Sequence, residues 1–149
     1  MILELANLTG VDPTSKDVAE WLLEFKNEDG GFGAHEHSNM NSTHSAVSSL
    51  HLLKYNIESL QDTAAFIRAC EKPYGGFTVI PHAYEPYMEY TYYGTMALHV
   101  FKQDCRFPSQ TVDFLLRCQN ANGGFARADL GVSSFESTFQ AVSVMHNLA

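Results

Sequence analysis

The fold is decided by a short run near the C-terminal third of the chain, Phe114-Leu115-Leu116-Arg117-Cys118-Gln119-Asn120-Ala121-Asn122-Gly123-Gly124-Phe125. Phe114, Leu115 and Cys118 fall on one helical face, because helix neighbours recur at spacings of three and four. Gly123-Gly124 then breaks the helix, and Phe125 supplies a large apolar plug. The same frame stands twice upstream. Trp21, Leu22, Phe25 and Gly30-Gly31-Phe32 form one copy, and Phe66, Ile67, Cys70 and Gly75-Gly76-Phe77 the other. In each copy the aromatic lies nine residues before the first glycine.

A second motif follows each glycine pair, as Thr43-Ala46-Leu50, Thr91-Gly94-Leu98 and Thr138-Ala141-Met145. Its spacing also suits one face of a helix, with a small residue where a neighbour must come close. Leu50 and Leu98 each lie sixteen residues before the next aromatic, and Leu5 lies sixteen before Trp21. The unit is therefore a helical hairpin repeated three times. Ile2–Asn7 reads as the tail of a preceding second-type helix.

The spacing predicts helices near 13–27, 41–55, 59–71, 87–103, 108–119 and 134–148, with no strand alternation. The class is all-α: three tandem helical hairpins in one domain, 1–149, with repeats at about 12–56, 57–104 and 105–149. Asp12 with Pro13, Pro86 and Pro108 suit helix starts. Ser59 with Asp62, and Ser133 with Glu136, have the spacing of capping boxes. The first glycine of each pair is expected to end a helix in the left-handed conformation, and the second to permit close packing.

Composition narrows the function. With 149 residues, 45% hydrophobic and 17% charged, the chain can bury a core. The net charge is −8 and the nine Lys and Arg are scattered, so no phosphate track for nucleic acid is expected. No run approaches a membrane span and no secretory signal is visible, which makes a cytoplasmic location the default. Cys70 and Cys118 share the repeat position of Phe25, so they read as core. Cys105, beside Asp104, lies in a return between repeats. His35-Glu36-His37 has the spacing of a metal pair but no third partner fixed by spacing, and an exposed polar loop explains it as well.

The run 114–125, together with Glu136-Ser137-Thr138-Phe139-Gln140-Ala141, resembles the repeat of protein prenyltransferase β subunits. With Phe in place of Trp it also resembles the QW repeat of squalene and related terpene cyclases. The resemblance covers nearly the whole chain and implies an α/α toroid, of which three hairpins make half. It implies that the second, fourth and sixth helices line an aromatic cavity that handles an isoprenoid, as a prenyl diphosphate. The residues carried to that cavity are Asn41, Ser42 and His44, then Tyr87, Glu89, Tyr90 and Tyr93, then Phe135, Glu136 and Phe139. His44, Tyr87, Tyr90, Tyr93, Phe135 and Phe139 are the expected substrate contacts; Tyr84 and Tyr92 complete with Tyr87, Tyr90 and Tyr93 a tyrosine cluster that either wraps an isoprenoid chain or serves as ordinary core and hairpin packing. Glu89 and Glu136 occupy equivalent positions and are the catalytic candidates, as acid and base or as holders of a cation; carboxylates that simply satisfy helix N-termini are the alternative.

The departures are as informative. The resemblance implies a zinc site of Asp, Cys and His, yet Tyr87, Glu89 and Ser42 stand at those three places. No Asp-x-Asp-Asp string of the cyclases is present, and no basic cluster marks a diphosphate site. No metal ligands are therefore expected, and zinc rests on the resemblance alone. Whether the chain is an enzyme stays open, and a non-catalytic helical-repeat module for protein or peptide binding stands beside it. Half a ring leaves inner faces and ends bare, so a homodimer, a partner chain or further repeats of a longer chain are expected to complete the toroid.

Overall fold

In the computed structural model, residues 16–149 are described. Six α-helices occur among them: α1 Lys16–Leu23, α2 Met40–Leu52, α3 Gln61–Cys70, α4 Met88–Val100, α5 Pro108–Arg117 and α6 Phe135–Leu148, with a 3-10 turn at Ile57–Ser59. β-structure among the described residues is limited to four isolated bridges. The stub at Ile2–Asn7 and the Asp12-Pro13 helix start lie outside the described residues. The even-numbered helices form one layer in which α4 packs between α2 and α6, while the odd-numbered helices pack outside them.

Three of the bridges, Lys26 to Phe32, Glu71 to Phe77 and Gln119 to Phe125, occur at one repeat position and correct the expected role of the glycines. The odd helices end at Leu23, Cys70 and Arg117, well before the glycine pairs. The chain then makes a tight β-type turn. In the first copy the Asn27 amide donates to the Gly31 carbonyl at 2.9 Å, and the Gly30 amide to the Asn27 carbonyl at 3.0 Å; Lys72 and Asn120 begin the same pattern in the other copies. Gly30, Gly75 and Gly123 take φ of 86°, 100° and 86°, the left-handed residue of the turn rather than of a helix cap. The first glycine is also constrained by its surroundings. A Cβ on Gly30 would lie 2.3 Å from the Asp62 carbonyl oxygen, and one on Gly75 2.0 Å from that of Gln110.

The repeated threonine has a physical role that spacing alone did not disclose. The Oγ1 atoms of Thr43, Thr91 and Thr138 accept the amides of Phe32, Phe77 and Phe125 at 2.9, 3.1 and 3.0 Å. Each hydroxyl thus latches the Gly-Gly-Phe turn to the first turn of the following even helix, where the phenylalanine side chain is buried. Satisfying a buried amide avoids a desolvation penalty of about 1–3 kcal/mol.

Successive hairpins are joined by equivalent contacts. The Met40 amide at the start of α2 donates to the Val79 carbonyl, and the Met88 amide at the start of α4 to that of Arg127, both at 2.8 Å. The Thr63 hydroxyl donates to the Gly30 carbonyl, and Thr111 Oγ1 accepts the Gly76 amide. The core follows the same plan. Met40 and Val47 of α2 pack with Phe66, Ile67 and Cys70 of α3 and with Ala97 and Leu98 of α4. Met88 of α4 packs with Phe114, Leu115 and Cys118 of α5 and with Ala141 and Val144 of α6. Cys70 and Cys118 are core residues, as expected.

Two capping expectations are corrected. The N-cap of α3 is Leu60, without a side-chain cap, and Ser59 bonds the Asn56 carbonyl instead. The N-cap of α6 is Ser134, whose side chain accepts the Ser137 amide, while Ser133 is taken by Asn120 and Asn122 in the preceding loop. Pro108 does open α5, and Asn39 caps α2.

Candidate functional site

The even helices present rings to one another. His44 on α2 stacks on Tyr93 of α4 with centroids 4.7 Å apart, and Tyr92 lies 6.0 Å from His44 and 5.7 Å from Tyr93. Tyr92 also meets Phe139 of α6 at 5.9 Å. A strip of four rings therefore crosses all three even helices. Helix register explains it: His44, Tyr92 and Phe139 each stand one residue after the latching threonine. Burial holds the His44 imidazole below its usual pKa, so it is neutral near pH 7. Burial pushes the Tyr93 phenol up, and the carboxylates of Glu136 and Glu89 add to the shift. Both catalytic candidates thus act on one phenol.

The tyrosine cluster divides. Tyr87 and Tyr90 pair edge to face at 6.1 Å at the start of α4, and Tyr74 pairs with the exposed Tyr84 away from the strip. Arg127, in the third Gly-Gly-Phe loop, lies over the Tyr87 ring at 4.0 Å and donates to Glu89 Oε1 through Nε at 2.7 Å. Glu89 is therefore an ion-pair partner that ties the loop to α4. Glu136 is exposed and meets the Gln140 amide at 3.5 Å. Phe135 does not join the strip; it is wholly exposed. Arg127 was not among the site residues expected from sequence, and Tyr92 was expected only as a member of the tyrosine cluster, not as a substrate contact. Tyr92 shares the register of His44, which was the usable signal; Arg127 gave none.

A zinc ion does not fit the residues present. Tyr87 donates its hydroxyl to Glu85, Glu89 is held by Arg127, and no group of three His, Cys, Asp or Glu among the described residues is placed to hold a metal. His35 and His37 sit in an exposed loop in which His35 and Glu36 are left-handed. Cys105, Cys70 and Cys118 are poor ligands as they stand, since burial pushes their thiols up to about 11, 12 and 11.

The three-hairpin arrangement agrees with comparison to known families. A family model described as a prenyltransferase alpha-alpha toroid domain matches residues 2–149. The chain belongs to the prenyltransferase α/α-toroid family. No curated protein sequence matches it. Among solved structures it is similar to Candida albicans protein geranylgeranyltransferase-I complexed with GGPP, with a TM-score of 0.77 and 21% identity. That alignment covers 92% of this chain and 43% of the other, so the chain spans less than half of the solved toroid protein. At this identity the likeness establishes the fold: an all-α partial toroid of three hairpins. No helix among the described residues is long and apolar enough to cross a membrane.

Proposed function

We propose that this chain handles an isoprenoid, presented as a prenyl diphosphate, along the aromatic strip of its even helices. The observation that carries the reading is the unbroken run His44–Tyr93–Tyr92–Phe139 across three successive helices. Such a strip offers ring faces to a branched apolar chain and to a developing allylic cation. Glu136 and Glu89, both acting on Tyr93, make the wall electronegative, which favours a cation and disfavours a diphosphate. Arg127 is neutralised by Glu89, so the groups that hold the diphosphate come from further hairpins. Those hairpins, from a second copy or a partner chain, complete the cavity, and the setting is cytoplasmic. Tyr87 and Tyr90 form its upper rim in this proposal, and Glu136, free of any ion pair with a described residue, is the acid–base candidate over Glu89.

The test is calorimetric titration of the assembled protein with geranylgeranyl diphosphate, followed by product analysis. Binding that Tyr93→Ala and Phe139→Asp weaken supports the proposal; no binding by an assembled sample removes it. Two observations favour a second reading, a non-catalytic module that binds a basic peptide: none of the zinc ligands that the resemblance implies is in place, and the wall is acidic. Titration with a lysine-rich peptide separates the two.

A further inference from the structure

On the α1–α2 hairpin an apolar hollow of about 270 Å³ opens between Trp21, Leu22, Phe25, Phe32, Ala46 and Ser49. The corresponding place on each later hairpin is filled by a knob from the hairpin before it. Met40 sits against Phe66, Ile67, Cys70, Phe77 and Ala97, which hold the repeat positions of Trp21, Leu22, Phe25, Phe32 and Ser49. Met88 sits likewise against Phe114, Leu115, Cys118, Phe125 and Val144. Among the described residues the first hairpin thus carries the hole without its knob. Trp21 is 57% exposed, whereas Phe66 and Phe114 at its position are 3% and 4% exposed.

The third hairpin carries the knob without its hole. Phe135 holds the position of Met40 and Met88; they are 0% exposed and it is 100% exposed. Val142 holds the position of Val47 and Thr95 and is likewise laid open. Gly123 has no atom within 4 Å of its would-be Cβ, whereas Gly30 and Gly75 are each closed over by the next hairpin.

We infer that the hollow receives Phe135 of a second copy of this chain, head to tail, so that two arcs close on each other through two equal junctions. The inference rests on the proposed completion of the cavity by further hairpins and names their source. The two bare faces are complementary halves of a junction already made twice within the chain, and both are present on one molecule. That complementarity favours a second copy over an unrelated partner. The Phe135 amide would find the Ala34 carbonyl, which stands where the Val79 and Arg127 carbonyls accept Met40 and Met88. One internal contact has no counterpart: Val18 stands at the position of Thr63 and Thr111 and has no hydroxyl for the glycine backbone.

Trp21 is the only tryptophan, so its emission reports the junction directly. The experiment is sedimentation of the full chain with Trp21 fluorescence across a concentration series. The expected result is a dimer whose emission moves to the blue as it forms. Phe135→Asp, at a fully exposed position that leaves the fold intact by circular dichroism, is expected to raise the dissociation constant at least about 100-fold and remove the shift. Ser49→Glu, in the hole, is expected to do the same, and mixing the two variants restores one of the two junctions, and with it an association weaker than that of the native chain, because one knob and one hole survive. Val18→Thr is expected to tighten the dimer about fivefold. A monomer with constant emission up to about 100 µM assigns both faces to hairpins of another or a longer chain and overturns the inference. A dimer indifferent to Phe135→Asp, or variants that fail to complement, overturns it equally. None of these readouts involves an isoprenoid, so failure here is separable from failure of the proposed function.

Discussion

Thr91→Val removes one hydroxyl and keeps the shape of the side chain, which makes it the sharpest probe of the repeat. In the native chain Thr91 Oγ1 accepts the Phe77 amide at 3.1 Å and donates to the Tyr87 carbonyl at 2.9 Å, and Thr91 and Phe77 are both 0% exposed. After the change the Tyr87 carbonyl keeps the Thr91 amide at 3.0 Å, but the Phe77 amide has no partner and no route to water. Leaving a buried amide unsatisfied costs about 1–3 kcal/mol. The added methyl recovers up to about 0.8 kcal/mol of apolar burial, which leaves a net loss of about 0.2–2 kcal/mol, near 1 kcal/mol at mid-range. For a chain of this length the mid-range value is a fall of about 3 °C in Tm. Thr138→Val is the internal control. It makes the same bond to the Phe125 amide, but Thr138 is only half-buried, so water can replace the hydroxyl and the loss should stay below about 0.5 kcal/mol. Urea titration of both variants checks the pair. A Thr91→Val loss equal to or smaller than that of Thr138→Val would refute the argument that the threonine is a latch whose worth is set by burial.

Lys54 is left-handed, φ 58°, where the chain leaves α2: its amide bonds the His51 carbonyl and the Tyr55 amide bonds that of Leu50. Lys54→Gly relieves the Cβ penalty and is expected to raise stability by about 0.5–1 kcal/mol in urea titration. Because Cys70 and Cys118 are buried and burial pushes their thiols up to about 12 and 11, neither should react with a thiol-exchange reagent at pH 8 until denaturant is added. His44 has a folded pKa below its unfolded value, so the unfolded state binds the extra proton as pH falls. Stability should therefore drop as pH is lowered from about 6.5, and His44→Gln should flatten that part of the profile in urea midpoints measured at pH 7 and pH 5.

The periodicity was legible because each helical residue packs by its face. Phe66 and Phe114, Cys70 and Cys118, and Met40 and Met88 are buried at matching positions, and a single sequence records that regularity directly. The second glycine of each pair permits close packing as expected, but the first was given the wrong job, since a left-handed glycine serves a helix cap and a β-type turn equally well on spacing alone. Capping was misread where a tertiary partner competed: Ser133 suits a capping box locally, but Asn120 and Asn122 draw it into the loop. The site was legible in part. His44, Tyr93 and Phe139 lie in the first two turns of the even helices, where the resemblance implies substrate contacts. The pairing of Glu89 with Arg127 joins residues of two different hairpins, and local pattern does not encode such a pair.

The electrostatics of the strip bear on how the family's chemistry could be divided between parts of a ring. A prenyl diphosphate needs two unlike environments: an apolar aromatic surface for its chain and incipient cation, and a cationic one for its leaving group. In these three hairpins the carboxylates of Glu89 and Glu136 reinforce one another at Tyr93, and Arg127 is committed to Glu89. Removing that negative charge by Glu89→Gln would leave the Arg127 guanidinium, still over the Tyr87 ring, with its charge free to meet an anion. If this wall supplies only the apolar half of the site, the substitution should strengthen diphosphate binding while leaving the affinity for the matching prenyl alcohol unchanged. If Glu89 instead acts on the reacting carbon, the same substitution should abolish turnover without improving diphosphate affinity. The two outcomes differ in sign on the diphosphate and are read in one pair of titrations.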